Sequence, residues 1–247
     1  AERFPITEEQ STELLLDKRH LWVRSRDITN IMKVRASVIK AAREFFDKDD
    51  WFEIQPPLIT DSACEGGTTL FEFDYFGDKA YLSQSGQLYA EAMIYSLEKV
   101  YCFAPSFRAE KSRTRRHLTE YWHLEPEAAW VDHEENMKIQ EKMIEYICHK
   151  VAEERADELE KLGRDPEKFK NIEAPFDRIT YTEAVDKLNE NGFDITWGED
   201  FGTKEERSLT EDREEPLIIE KYPLEAKAFY MKSDPENDKQ VLCNDMI

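Results

Sequence analysis

The stretch Ser106–Glu127, SFRAEKSRTRRHLTEYWHLEPE, gathers Arg108, Lys111, Arg113, Arg115, Arg116 and His117 in a chain whose formal net charge is -20, and then turns acidic at Glu120, Glu125 and Glu127. A local excess of cations inside an acidic protein marks a place where an anion is gripped. The flanking runs, EKVYCFAPSFRAE and LTEYWHLEPEAAWV, have the aromatic and β-branched composition of strands, which predicts an antiparallel hairpin with the basic stretch as its loop. Side chains alternate between the faces of a strand, so Tyr121, His123, Glu125 and Glu127 share one face, while Trp122 and Leu124 point to a core on the other. Arg108 and Glu110 likewise share a face. A guanidinium is a planar, permanently charged fork suited to phosphate or carboxylate oxygens, and a tyrosine ring is a flat surface for a base. These residues describe a nucleotide pocket floored by an antiparallel sheet. They are equally compatible with cross-strand ion pairs on a solvated face.

Working outward, Ile31, Val34, Val38, Ala41, Ala42, Phe45 and Phe46 recur at three- and four-residue intervals, which predicts an amphipathic helix ending near DKDD. WFEIQPPLIT then reads as a strand held to an edge or an interface, because Pro56 and Pro57 lack backbone donors. DSACEGGTTLFEF reads as a loop, and KAYLSQSGQLYAEAMIYSL as a strand turning into a helix near Ser85 or Gly86. Beyond the hairpin a long helix is expected from about Asn136 to Leu162, then a linker in which Pro166 and Pro175 bar a continuous helix. A short helix from Thr182 to Asn189, an acidic loop to Glu215, and strands at PLIIEKYP and AKAFYMK follow. The chain closes with QVLCNDMI.

Composition narrows the function classes. With 247 residues, 40 % of them apolar, the chain has material for one sizeable domain. The balance of 34 cations against 54 anions argues against nonspecific nucleic-acid or anionic-membrane binding over the whole surface. No run of eighteen apolar residues offers a membrane span. The four cysteines form no CxxC pair, so a zinc knuckle or disulfide framework is not expected, and reduced thiols in a cytoplasmic protein are. His20, His133 and His149 show no ligand spacing.

FRAE, the basic loop, RRHLTEYW and LEPE resemble motif 2 of the class II aminoacyl-tRNA synthetases. DDWFEIQPPLI resembles their motif 1, a helix and strand ending in proline at a homodimer interface. SACEGGTTLF and LSQSGQLYAEAM resemble the substrate loop and amino-acid-binding segment of the aspartyl and asparaginyl subgroup. The resemblance runs from about Glu13 to the last residue. It implies an α+β fold, an antiparallel β-sheet flanked by helices, with residues 1–30 a linker and 31–247 the catalytic domain. Carried over position by position, it makes Arg108 the catalytic cation that bridges the ATP α-phosphate and the amino-acid carboxylate. Glu110, Arg116, His117 and Tyr121 complete an ATP site, and Glu65, Ser85, Gln87, Glu125 and Glu127 hold the amino acid. Lys111, Arg113 and Arg115 meet the pyrophosphate or the tRNA acceptor end. ATP with Mg2+ is the implied cofactor.

The substrate side chain is read at two positions. Aspartyl members carry a lysine where this chain has Ala90, and that lysine pairs with the substrate carboxylate. Asparaginyl members carry EPE where this chain has Glu125, Pro126 and Glu127. A carboxylate accepts from an amide and repels a like charge, so asparagine and tRNA(Asn) are the expected substrates. Alternatively, Ala90 is a helix residue facing core, with a lysine supplied from elsewhere. Motif 3, a GxGxxR segment, has no match up to Ile247, and neither has an N-terminal anticodon barrel. The expectation is therefore an incomplete catalytic domain, with its metal ligands beyond Ile247. An ammonia-dependent asparagine synthetase and a non-catalytic synthetase-like binding module are the other readings.

Overall fold

The computed structural model describes residues 10–64, 70–111 and 118–247. In chain order its elements are α1 (Thr12–Asp17), α2 (Arg19–Trp22), α3 (Arg26–Asp47), β1 (Phe52–Glu53), β2 (Ile59–Thr60), β3 (Glu72–Tyr75), β4 (Asp78–Leu82), α4 (Gln87–Leu97), β5 (Lys99–Phe107) and β6 (Glu120–Ala128). Then come α5 (His133–Glu154), α6 (Ala156–Lys161), α7 (Pro166–Lys170), β7 (Asp177–Thr180), α8 (Tyr181–Glu190), α9 (Thr203–Thr210), β8 (Leu217–Glu220), β9 (Ser233–Asp234), β10 (Asn237–Val241) and β11 (Asn244–Met246). They sort into two compact units. One comprises the residues up to Phe45 with Met137–Pro223 and Cys243–Ile247, the other Phe46–Asn136 with Leu224–Leu242.

The second unit carries the hairpin. β5 and β6 pair antiparallel over nine positions, from Lys99 opposite Ala128 to Phe107 opposite Glu120. β1 joins the free edge of β5 in parallel. The sheet is therefore mixed, not purely antiparallel, and the two-proline segment ends its edge strand as the missing donors require. A second sheet, β2-β4-β3, is antiparallel. Its β3–β4 turn places Phe76 and Gly77 at φ 55 and 95, so part of the run expected to be loop is a hairpin. Beneath α4 an apolar cluster joins Ile54, Ala90, Val100 and Cys102, with Ile94 and Leu97 packed against it. Phe46 stacks on Tyr101 at 4.8 Å and meets Trp51 edge-on at 5.1 Å. The Tyr101 hydroxyl bonds Asp47 at 3.0 Å and Glu53 at 3.3 Å, and burial raises its pKa above the usual phenol value.

The first unit is built on the mixed sheet β11-β8-β7, in which β7 and β8 run parallel. Its Glu141 is 2 % exposed and binds the Arg178 guanidinium through both oxygens, at 3.0 and 3.1 Å. A capping box of Thr180 and Glu183 starts α8, satisfying backbone donors that the first turn leaves open. Tyr181 stacks on Phe201 at 5.0 Å.

Several expectations shift. α3 begins at Arg26, ahead of Ile31, and its buried positions are Asn30, Ser37, Ala41, Ala42 and Phe46, while Ile31 and Val38 are exposed. Ser37 tolerates burial because its hydroxyl donates to Glu154 at 3.1 Å and accepts from Arg155 at 2.8 Å, leaving no orphaned polar atom. The expected 136–162 helix is two helices, because Arg155 leaves the helical region at φ -132, ψ 28. α7 occupies the expected linker with Pro166 at its start, where a missing N–H costs nothing. The acidic loop contains α9, and AKAFYMK forms turns after a 3-10 segment at Leu224–Ala226, not a strand.

Candidate active site

The site is assembled where the first turn of α4 meets the middle of the hairpin. In the β5–β6 register Val100, Cys102, Ala104 and Ser106 lie opposite Glu127, Glu125, His123 and Tyr121, so these residues share one face of the sheet. The reverse face is not a closed core: Trp122 is 52 % exposed and its ring meets Phe103 at 5.5 Å.

Glu125 is the centre. Its side chain is 13 % exposed. Oε2 accepts from the Gly86 backbone N–H at 2.9 Å and lies 3.5 Å from the Cys102 thiol. Oε1 accepts from the Ser85 hydroxyl and lies 3.2 Å from His123 Nδ1. Ser85 in turn accepts from the Gln87 N–H at 3.1 Å, and Ser83 donates to the Ser85 carbonyl at 2.8 Å. The carboxylate thus sits at the positive end of α4, where free N–H groups favour an anion. Gly86 makes the approach possible: a Cβ there would lie 2.6 Å from Cys102 Sγ and 2.9 Å from Pro56 Cγ.

The surrounding groups carry the electrostatic imprint of this cluster. Burial, helped by the Glu125 charge, pushes the Cys102 thiol up to about 12. Burial and then the charges of Glu91 and Glu125 raise the Glu127 carboxyl to about 7. Glu91 also fixes Gln87, whose Nε2 donates to it at 2.9 Å, which turns Gln87 Oε1 toward the Cys64 thiol at 3.7 Å.

Arg108 follows β5 directly, its N–H bonded to the Thr119 carbonyl at 3.0 Å, and its guanidinium carbon lies 6.0 Å from the centroid of the Tyr121 ring. Tyr121 meets the His123 ring at 5.3 Å. An arginine, an aromatic ring and an anchored carboxylate are thereby set in a row along one sheet face. Glu110 and Lys111 are exposed at the strand end. Glu65, Arg113, Arg115, Arg116 and His117 lie outside the described residues. Ala90 is 1 % exposed within the apolar cluster, so it is core as well as the position where a lysine is missing. The residues not singled out beforehand are His123, Ser106, Cys102 and Gly86. Alternation along β6 already placed His123 on the site face, and the same rule extended back from Arg108 along β5 would have found Ser106 and Cys102. Among the described residues no group of three or more His, Cys, Asp or Glu is arranged to hold a metal, no helix is long and apolar enough to cross a membrane, and none of the four cysteines is in a disulfide.

Residues 11–246 match the family model of class II tRNA synthetases (D, K and N). The chain belongs to this family. Over 244 residues it is 50 % identical to the asparagine–tRNA ligase of Thermoplasma acidophilum, covering 99 % of this chain and 57 % of that protein. The crystal structure of asparaginyl-tRNA synthetase from Pyrococcus horikoshii complexed with asparaginyl-adenylate superposes with a TM-score of 0.95 at 51 % identity, over 98 % of this chain and 57 % of that one. The Entamoeba histolytica asparaginyl-tRNA synthetase in complex with asparaginyl-adenylate gives a TM-score of 0.87 at 32 % identity, over 98 % of this chain and 54 % of that one. This class II synthetase chain therefore spans somewhat more than half the length of the relatives it matches.

Proposed function

We propose that this chain supplies the amino-acid pocket and α-phosphate grip of an asparagine–tRNA ligase. The asparagine carboxylate attacks the α-phosphorus of MgATP, the bond to the β-phosphate oxygen breaks, pyrophosphate leaves, and the asparaginyl group then passes from the adenylate to the 3′ end of tRNA(Asn). The observation that carries the reading is Glu125, a carboxylate anchored by Gly86 and Ser85 on the same sheet face as Tyr121. It accepts the side-chain amide of asparagine and repels the carboxylate of aspartate. The same carboxylate weighs against an enzyme that must bind aspartate before amidating it.

Arg108 neutralises the negative charge that grows between the carboxylate and the α-phosphate, an electrostatic role and not a proton transfer. Tyr121, across from it, stacks on adenine. Ser85, Gln87 and Glu127 line the amino-acid side, with Glu65 closing it. Glu110, Arg116 and His117 extend the nucleotide site, and Lys111, Arg113 and Arg115 meet pyrophosphate or tRNA. The Mg2+ enters as part of the nucleotide substrate. The active form is a homodimer, a reading supported by exposed Phe52 on the edge strand β1 and exposed Trp122 behind the hairpin, and its proposed location is the cytoplasm.

ATP–pyrophosphate exchange with asparagine and aspartate in parallel, on the full-length protein, tests this. Exchange with asparagine alone is expected. Exchange with aspartate alone overturns the specificity argument from Glu125, and no exchange with either returns the chain to a binding module.

A further inference from the structure

Glu125 has about four acceptor positions on its two oxygens, and the protein addresses all of them. Gly86 and Cys102 face Oε2, and Ser85 faces Oε1. The remaining neighbour is His123, whose Nδ1 lies 3.2 Å from Oε1 and 3.1 Å from the Ser106 hydroxyl. Ser106 is 1 % exposed, so the ring nitrogen is within reach of both a carboxylate and a hydroxyl sealed from water. A neutral imidazole has two places to engage: it can shift its Nδ1 contact to Ser106 and release Oε1 to an incoming amide N–H. An imidazolium cannot make that exchange freely, because its charge is held by the carboxylate.

We infer that His123 sets which side chain Glu125 admits: neutral, it leaves an anionic acceptor for an amide; protonated, it occupies that acceptor and cancels its charge. This deepens the proposed asparagine activation and stands only with it. His123 is a specificity-determining residue acting through Glu125. Its protonation weakens asparagine, which loses an acceptor, and relieves aspartate, which loses its repulsion. The groups that set the ring's charge are Glu125 and Tyr121 on β6, Cys102 on β5 and Arg108 beyond it, with Glu127 on β6 and Glu91 on α4 further along the pocket. Arg108 opposes the imidazolium and the carboxylates favour it; the range over which histidines in general change charge, about pH 8 to 5, is the one to scan.

The test is ATP–pyrophosphate exchange by the full-length protein across that range. The KM for asparagine is expected to rise as pH falls, approaching about tenfold per pH unit, the limit for one linked proton, while the KM for ATP stays level and the asparagine-to-aspartate ratio of kcat/KM narrows. His123→Asn, which cannot be charged, removes the inflection in the asparagine KM. An asparagine KM that is flat with pH in the parent protein, or an inflection that survives in His123→Asn, overturns the inference while leaving asparagine activation standing. A lack of asparagine-dependent exchange at every pH overturns both. Independently of any variant, linkage requires asparagine to lower the titration midpoint of His123 read by NMR. A midpoint that asparagine does not move overturns the inference as well.

Discussion

The backbone N–H of Gly86 donates to Glu125 Oε2 at 2.9 Å, and the bond exists because residue 86 has no side chain: a Cβ would lie 2.6 Å from Cys102 Sγ and 2.9 Å from Pro56 Cγ. Strand, helix start and proline segment meet at that one residue. Gly86→Ala is expected to cost about 1–3 kcal/mol of stability, as overpacking does, and to raise the asparagine KM. Denaturant unfolding and exchange kinetics check it, and Cys102→Ala in the same chain should recover part of the loss. No loss on either count would show that the helix start has room to yield.

Glu125→Gln keeps the shape and removes the charge. A hydrogen bond to a charged group contributes about 1.5–3 kcal/mol, so the asparagine KM should rise at least about tenfold, with the ATP KM little changed. An unchanged asparagine KM removes Glu125 from recognition.

Arg108→Ala is expected to abolish adenylate formation while the melting temperature stays within a few degrees of the parent, because the side chain lies at the end of β5 and outside the apolar cluster. Exchange at the parental rate in this variant would exclude the charge-neutralising role.

The Glu127 carboxyl is raised to about 7, first by burial and then by Glu91 and Glu125. A folded pKa above the unfolded one means that the native state holds the proton more tightly. Stability from this group is therefore fully present below the unfolded value and is lost as pH rises through about 7. Glu127→Gln should leave the melting temperature nearly unchanged at acid pH and raise it at pH well above that value. Melting curves of parent and variant at the two ends of the range decide it, and a difference that is the same at both ends would contradict the raised pKa.

In the other unit, Glu141→Ala removes the two-point partner of Arg178 from a position that is 2 % exposed. Breaking a buried pair costs about 3–5 kcal/mol, and the partly open Arg178 side places this one near the lower figure. Denaturant unfolding measures it. A loss below 1 kcal/mol would mean that water reaches the vacated guanidinium.

Much of the site was legible in the sequence because strand alternation is a strict two-residue rule. Once LTEYWHLEPE is read as a strand, Tyr121, His123, Glu125 and Glu127 fall on one face, and the register bears this out. The same local reading failed where burial is settled by neighbours far away in the chain. Ile31 and Val38 are exposed while Ser37 is buried, since Glu154 and Arg155 reach its hydroxyl. Trp122 was expected in a core and is half exposed, because a strand's alternation says which residues share a face but not whether anything covers it.

The sequence by itself determined the hairpin, the helix start at Ser85–Gly86 and which residues of β6 share a face, because each is written in spacing along a few tens of residues, and its motifs carried the resemblance to the family. Only the tertiary structure decided that Gly86, Ser85, Cys102 and His123 converge on one carboxylate. Residues as far apart in sequence as Ser85 and Glu125 become partners through the strand register and the packing of α4 on Val100 and Cys102. A convergence of that kind is set by the balance of burial and hydrogen bonding over the whole unit, which no local pattern encodes.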